Sequence, residues 1–350
     1  MIHVERHPHV RLTSLTRIAS LDQVPFSLRT LAHDDWVSGD YVACKVVSPH
    51  GAFRQIELPG GRMIFVERGD VLIGALGRRH ATLELTGTFE AVEDDGRMHL
   101  LSGGGMMGRV TSVAPAIGAM MDLHYRGHLF VDERKATMER FVPETDPIPF
   151  SIPTVLLVGT SMSAGKTTAG RLAVRHLRKQ GLVVAGAKLA GAGRYRDVLA
   201  FGDAGAAPIL DFVDAGLPST VVPEAEYQRA LGWLLARLAA AHPDVAVIEV
   251  GASPLEPYNG AAAIEALQDR IAFVMLAASD PYAAHGIIEA YGLRPDLICG
   301  RATNTHAGVE LAERLCGVPA LNLSETPEAL GPLLDDALRI PRSHSLHNAG

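Results

Sequence analysis

The stretch that most constrains this chain is Thr154-Val-Leu-Leu-Val-Gly159-Thr-Ser-Met-Ser-Ala-Gly165-Lys166-Thr167-Thr168. A β-branched apolar run ends at Gly159, small residues follow, and Gly-Lys-Thr-Thr opens an amphipathic segment that runs to Gly181. Strand, small-residue loop and helix in that order are what a phosphate-binding loop requires. Backbone N–H groups curl round a polyphosphate, and the helix aims its positive N-terminal end at the same anion. In that geometry Lys166 reaches the β- and γ-phosphates and the Thr167 hydroxyl ligates Mg²⁺. Gly159, Thr160, Ser163, Ala164, Gly165, Lys166, Thr167 and Thr168 are therefore the candidate nucleotide-binding residues. Five residues separate Gly159 from Gly165, where the usual pattern has four. The Gly-Lys-Thr end that meets the phosphates is intact.

The 350 residues suffice for two domains, and 47% hydrophobic against 20% charged residues supplies apolar surface for real cores. A net charge of −7 without a long basic run disfavours nucleic acid as a partner. The three cysteines, Cys44, Cys299 and Cys316, lack metal-type spacing and read as thiols of a reducing compartment. The N-terminus lacks the plan of a signal peptide, and no apolar run reaches membrane-spanning length. The expectation is a cytoplasmic protein that engages neither membrane nor nucleic acid.

Residues 1–145 read as a mainly-β domain, a small sandwich or barrel. Short β-prone runs at 9–15, 26–31, 41–47, 54–58, 62–66, 70–76, 82–85, 88–92 and 98–101 are separated by turn signals such as Pro59-Gly60-Gly61 and Asp94-Asp95-Gly96. Three consecutive glycines, Gly103 to Gly105, permit close backbone approach to a ligand or to another chain. Ser102, Arg109, Thr111 and Ser112 are placed to hold an anion there; a hairpin or hinge is the alternative. Residues 121–130 alternate as a strand does. The prolines of 146–153 mark a linker.

From residue 154 to 340 strands and helices alternate, which implies an α/β domain with a mostly parallel sheet covered by helices on both faces. The expected strands are 154–158, 183–188, 219–222, 245–250, 271–277, 296–299 and 320–323. The expected helices are 166–180, 206–215, 224–241, 259–268, 283–291, 307–315 and 327–338. The polar tail 341–350 reads as disordered.

Ligands of such sheets bind beyond the carboxyl ends of the strands. Lys188 ends an apolar run, where a lysine is costly unless it meets an anion; it is a candidate to stabilise charge on a transferring phosphoryl group. Arg194 and Arg196 follow on a glycine-rich stretch and suit phosphate or carboxylate. Glu249 ends the run Asp244-Val-Ala-Val-Ile-Glu249, the place for a Mg²⁺-linked carboxylate. Ser253 lies in the Pro-rich loop that follows, a candidate to line a second-substrate pocket, with a simple connection the alternative. Asp203 reads as an N-cap or a Mg²⁺ partner, Asp211 and Asp214 as solvated residues, and Asp280 as a helix cap. Thr303 and Asn304 are candidates for base recognition, with a helix cap the alternative. The guanine signature Asn-Lys-x-Asp is absent, which favours ATP over GTP.

On these residues the second half resembles the dethiobiotin-synthetase-like (SIMIBI) branch of P-loop proteins. That branch includes cobyrinic-acid amidase domains, metallochaperones and the P-loop family associated with D-glutamate N-acylation. Dethiobiotin synthetase has a loop of the same spacing as Gly159 to Lys166, a lysine ending the second strand where this chain has Lys188, and a Glu-Gly-Ala-Gly-type motif where this chain has Glu249-Val-Gly251-Ala-Ser. The inserted Val250 departs from that motif. The run Ile209-Leu-Asp211-Phe-Val-Asp-Ala-Gly216 looks like a stretch of the D-glutamate acylation family. The resemblance covers about residues 154–323 and implies an ATP- and Mg²⁺-dependent enzyme that transfers a phosphoryl group to a small-molecule carboxylate or similar acceptor. Taken with the residues' own chemistry, Lys166, Lys188 and Glu249 would be catalytic and Thr167 and Glu249 would hold the metal; Arg194, Arg196, Ser253 and, outside the resemblance, Arg109 are the candidates to meet the substrate. Relatives with this loop often complete sites across subunits, so a homodimer is expected. A nucleotide-hydrolysing switch or metallochaperone acting on a protein partner is the alternative.

Overall fold

The computed structural model describes residues 9–49 and 54–340. The tail at 341–350, expected to be disordered, lies outside the described residues.

The first half holds β1 (Val10–Leu12), β2 (Ser27–Arg29), β3 (Tyr41–Ser48), β4 (Gln55–Glu57), β5 (Met63–Phe65), β6 (Val71–Leu76), β7 (Arg78–His80), β8 (Leu85–Thr88), β9 (Arg97–Leu100), β10 (Met106–Val113), β11 (Asp122–Val131) and β12 (Arg134–Lys135). Pairing runs β6–β3–β11–β9–β10 and returns from β10 to β6, so these strands close into a small barrel. The twofold alternation of a strand explains how β3 serves two cores. Val42, Cys44 and Val46 point into the barrel with Leu72, Met98 and Leu123, while Tyr41 and Ala43 point outward. That outward face packs on the second half: Leu15, Tyr41 and Ile73 belong to one apolar cluster with Leu156, Phe212 and Tyr227.

The second half holds β13 (Thr154–Gly159), α1 (Lys166–Lys179), β14 (Val184–Ala190), α2 (Tyr195–Asp203), β15 (Ile209–Asp211), α3 (Glu224–Ala240), β16 (Val245–Val250), α4 (Gly260–Leu267), β17 (Ile271–Ala277), α5 (Pro281–Tyr291), β18 (Leu297–Cys299), α6 (His306–Cys316) and α7 (Leu330–Ala337). The sheet order is β15–β14–β16–β13–β17–β18, with every pairing parallel. Alternation along β13 sends Val155 and Leu157 toward α1, α2 and α7, and Leu156 and Val158 toward α3, α4 and α5. The fold class is therefore α/β with a helix-covered parallel sheet, preceded by a mainly-β barrel. Residues 142–153 between them form neither helix nor strand.

Several local expectations are corrected. The third strand is β15, inside the helix expected at 206–215; Gly205 and Pro208 break a helix there. The expected strand at 219–222 lies between prolines and makes only a single bridge, Ser219 to Ala192. The stretch at 320–323 likewise contributes only Ala320, bridged to Ile298. Helix α2 occupies charged sequence that reads as loop, held by buried Val198 and Phe201. Asp203 ends α2 instead of capping a later helix. In the barrel, 82–85 is mostly the turn between β7 and β8, and 88–92 folds as a 3₁₀ turn capped by Thr88. The Gly-rich stretch after residue 105 enters strand β10.

Two expectations about charges also change. Asp211 is fully buried, not solvated, and accepts from Arg17 at 2.6 Å. Asp214 pairs with the same guanidinium at 3.0 Å. Asp280 does cap its helix, accepting from the Ala283 amide at 2.9 Å, and Thr305 caps α6. No helix among the described residues is long and apolar enough to cross a membrane.

Candidate functional site

Strand β13 is central, so the loop it feeds emerges at the carboxyl edge of the sheet between β16 and β17. Among the described residues no carbonyl accepts from the amides of residues 161–168. Thr160 is the exception at the loop's entrance, donating to the Ala277 carbonyl at 3.1 Å. The following amides and those of the first turn of α1 make a donor surface suited to a polyphosphate. A side chain at Gly159 would collide with the Lys166 ammonium and the Ala252 carbonyl, so only glycine lets that lysine fold back over the loop.

Lys166 is buried, and its Nζ donates to the carbonyls of Ser161 at 2.8 Å and Ala252 at 3.3 Å. Burial lowers its pKa from the ordinary lysine value; Lys188 adds to that effect and Glu249 opposes it. Thr167 Oγ1 donates to Glu249 Oε2 at 3.0 Å. Glu249 is 3% exposed at the end of β16. In the sheet register it lies opposite Leu157 on one side and Lys188 on the other. The Lys188 ammonium donates to Asp197 at 2.5 Å and to the Ala192 carbonyl at 3.4 Å. Burial works against that charge, but Asp197 and Glu249 outweigh it and hold the Lys188 pKa above the ordinary value. Asp197 is correspondingly lowered: burial opposes its ionisation, and Lys188 outweighs burial.

These groups face a cavity of about 730 Å³. Its walls bring together Lys166, Thr167, Thr168, Lys188, Glu249, Arg194 and Arg196 with residues of the barrel. Arg194 carries a buried Nε without a hydrogen-bond partner among the described residues, and burial followed by Arg196 lowers its pKa. The lining holds six basic side chains against three carboxylates, so the cavity favours anions.

Other sequence candidates lie elsewhere. Arg109 is turned to Asp95 at 3.1 Å and Glu93 at 3.3 Å on the outer part of β10, and Thr111 and Ser112 are exposed beyond it. Strand β10 pairs with β8 there, which directs Arg109 away from the cavity. Ser253 is buried and does not line it. The Thr303 hydroxyl is spent on the carbonyls of Gly300 at 3.0 Å and Leu321 at 2.7 Å, and Asn304 is exposed. Neither reaches the cavity wall, although the turn they end touches the loop through Arg301 N–H and the Ala164 carbonyl at 3.2 Å.

Four residues of the site escape sequence reasoning. Asp197 sits three residues after Arg194, a spacing that has meaning only once α2 is known to be helical. Glu57, fully buried on the β4–β5 hairpin, accepts from Ser14 and from the α2 amides of Tyr195 at 2.7 Å and Arg196 at 2.9 Å. It caps the helix that carries Asp197, from the other half of the chain. Arg79 and Glu84 of the barrel line the same cavity. No periodicity or motif marks any of these long-range partners.

A divalent cation fits this donor set. A buried carboxylate and a hydroxyl 3.0 Å apart, at the foot of an anion-binding loop, are the hard oxygen ligands Mg²⁺ takes alongside phosphate oxygens and water. No cluster of three or more His, Cys, Asp or Glu exists among the described residues.

No protein-family model matches the chain, and no curated protein matches it significantly. Among solved structures it is similar to the signal recognition particle receptor FtsY from Elizabethkingia anophelis, at 14% identity over 52% of this chain and 61% of that one, with a TM-score of 0.35. Chloroplast FtsY from Physcomitrella patens gives 16% identity over 54% and 62%, with a TM-score of 0.36. A DUF1611 family protein from Anabaena variabilis gives 15% over 57% and 62%, with a TM-score of 0.34. This chain spans less than two thirds of the length of each. Scores of this size are too low to assign a relationship.

Proposed function

We propose that this protein binds a nucleoside triphosphate with Mg²⁺ and transfers its γ-phosphoryl group to a small-molecule carboxylate or similar acceptor, as a ligase or kinase does. The observation that supports this most is the placing of two anion-binding walls in one cavity. One wall is the loop amides with Lys166 and Lys188; the other is Arg194 and Arg196. A site for hydrolysis alone needs only the first.

In this reading Lys166 exchanges the carbonyls of Ser161 and Ala252 for phosphate oxygens. Thr167 and Glu249 would hold the Mg²⁺, which would neutralise charge on the phosphates. Arg194 and Arg196 bind and orient the acceptor. The acceptor's carboxylate oxygen forms the new bond to the γ-phosphorus. The bond from that phosphorus to its bridging oxygen breaks, and the electron pair stays on the nucleoside diphosphate. An ionised carboxylate has no proton to lose, so no general base is required. Lys188, fixed by Asp197, stabilises the charge that develops. The absence of Asn-Lys-x-Asp supports ATP, with GTP as the competitor to test.

The test is nucleoside diphosphate release from ATP and from GTP across a panel of small carboxylic acids. Release that rises at least tenfold with one acid supports the reading. Release that responds only to an added protein would replace it with a nucleotide-driven switch. Calorimetry without binding of either nucleotide would sink both.

A further inference from the structure

The β7–β8 hairpin of the barrel is fastened to the phosphate-binding half at successive points. The His80 amide donates to Tyr258 Oη at 2.8 Å. The Thr82 amide and hydroxyl both donate to Glu256, at 3.0 and 2.6 Å. Glu84 Oε1 accepts from Ser163 Oγ, within the loop itself, at 3.2 Å. Tyr258 and Glu256 follow β16, whose carboxyl end carries Glu249, so the hairpin is anchored on the same edge of the sheet as the candidate Mg²⁺ ligands.

Arg79 is the residue this fastening positions. It is 7% exposed, yet it lines the cavity above the loop. One end of its guanidinium donates to the Leu101 carbonyl at 2.6 Å. The other end pairs with Glu84 and lies 3.5 Å from Met162 Sδ, in the stretch between Gly159 and Gly165. Glu84 thus holds Arg79 with one oxygen and the loop with the other. A guanidinium on a strand, held from two sides against the phosphate loop, has its rotamer fixed before any ligand arrives.

We propose that Arg79 is a catalytic residue: the barrel supplies it within the same chain to stabilise negative charge on the γ-phosphoryl group as that group transfers. This rests on the nucleotide reading above. Glu84 is a positioning residue for it, and a phosphate entering the loop competes with Glu84 for both Arg79 and Ser163. The barrel then has a part in the chemistry as well as in the fold. An arginine supplied to a phosphoryl-transfer site raises turnover about 10³-fold or more, because its planar fork meets two oxygens at once.

The experiment compares wild type, Arg79→Ala, Arg79→Gln and Arg79→Lys for nucleotide affinity by calorimetry, for turnover, and for binding of ADP with Mg²⁺ and aluminium fluoride, a mimic of the transferring group. Gln keeps an N–H for the Leu101 carbonyl and discards the charge, so it decides the matter if Ala fails to fold. The expected result for Arg79→Gln is turnover lower by about 10³-fold, ATP affinity within about threefold of wild type, and loss of the tight aluminium fluoride complex. Arg79→Lys should recover only part of the turnover, since an ammonium lacks the fork. Glu84→Gln should lower turnover less than Arg79→Gln and leave nucleotide affinity unchanged or tighter. Turnover near wild type in Arg79→Gln, or an aluminium fluoride complex as tight as wild type's, would overturn the proposal. A parallel loss of affinity and turnover would reassign Arg79 to structure. Wild type that binds no nucleotide would overturn the underlying reading instead, and the two failures are told apart by the first measurement.

Discussion

Thr167 Oγ1 and Glu249 Oε2 lie 3.0 Å apart, joining the first turn of α1 to the end of β16. A hydroxyl and a carboxylate held at that separation at the foot of the loop have the spacing of two ligands on one cation. Glu249→Gln keeps the hydrogen bond and removes the charge. Turnover should fall about 100-fold or more while nucleotide affinity changes by less than about tenfold, because charge stabilisation acts mostly in the transition state. A Mg²⁺ titration of turnover in the variant should reach its midpoint at higher concentration than in wild type. An unshifted midpoint would remove Glu249 from the metal site.

Lys166→Ala should abolish nucleotide turnover and leave the fold intact. Among the described residues the ammonium donates to the carbonyls of Ser161 and Ala252, and Lys166 and Ala252 both line the cavity, from which water can reach the carbonyls the variant leaves free. Circular dichroism and the thermal midpoint should stay near wild type while diphosphate release drops to background. Retained turnover would refute the assignment of the loop.

The ion pair of Lys188 with Asp197 makes stability depend on pH in a defined direction. The folded pKa of Asp197 is lowered, so its contribution is complete above the unfolded value near 4 and fades as pH falls through the folded one. Lys188 is raised, so its contribution is complete below the unfolded value of about 10.4 and fades as pH rises through the folded one. Asp197→Asn should therefore show a shallower loss of stability than wild type below about pH 4 and above about pH 10.4. Urea midpoints measured across pH check this, and parallel curves for the two proteins would contradict it.

Glu57→Gln should destabilise by about 2 kcal/mol, because a charged acceptor at the head of α2 is replaced by a neutral one. The same change should lower turnover, since α2 carries Asp197 and so positions Lys188. Urea denaturation gives the first number and steady-state kinetics the second.

Gly104→Ala should cost about 1–3 kcal/mol. A Cβ there would stand 2.5 Å from the Gly193 carbonyl oxygen, backbone against backbone, and 3.1 Å from Ser14 Oγ. No rotamer change relieves a main-chain clash. A thermal midpoint equal to wild type's would show that the two segments separate freely.

The loop, its strand and its helix were legible in the sequence because their determinants are local: a glycine start, a Gly-Lys-Thr turn and apolar spacing that switches period. Glu249 and Lys188 were legible as lone charges at the ends of apolar runs. What escaped was set by partners distant in sequence. Asp211 reads as a solvated acid until Arg17, far upstream, is seen to meet it. Arg194 to Asp197 read as a polar loop because the cap that starts their helix, Glu57, comes from the β4–β5 hairpin of the first half. Arg109 reads as part of an anion site because the glycines beside it suggest close approach, yet those glycines serve the contact between barrel and sheet, where Gly104 meets Gly193.

The apolar cluster that Leu15 and Tyr41 share with Leu156 and Tyr227 makes each half depend on the other for cover. Each half shows the other a greasy flank that water would penalise by about 1.5–3 kcal/mol for every large side chain laid bare. Either half produced alone would therefore carry an uncovered apolar face, and association or aggregation through that face is the behaviour to expect of it.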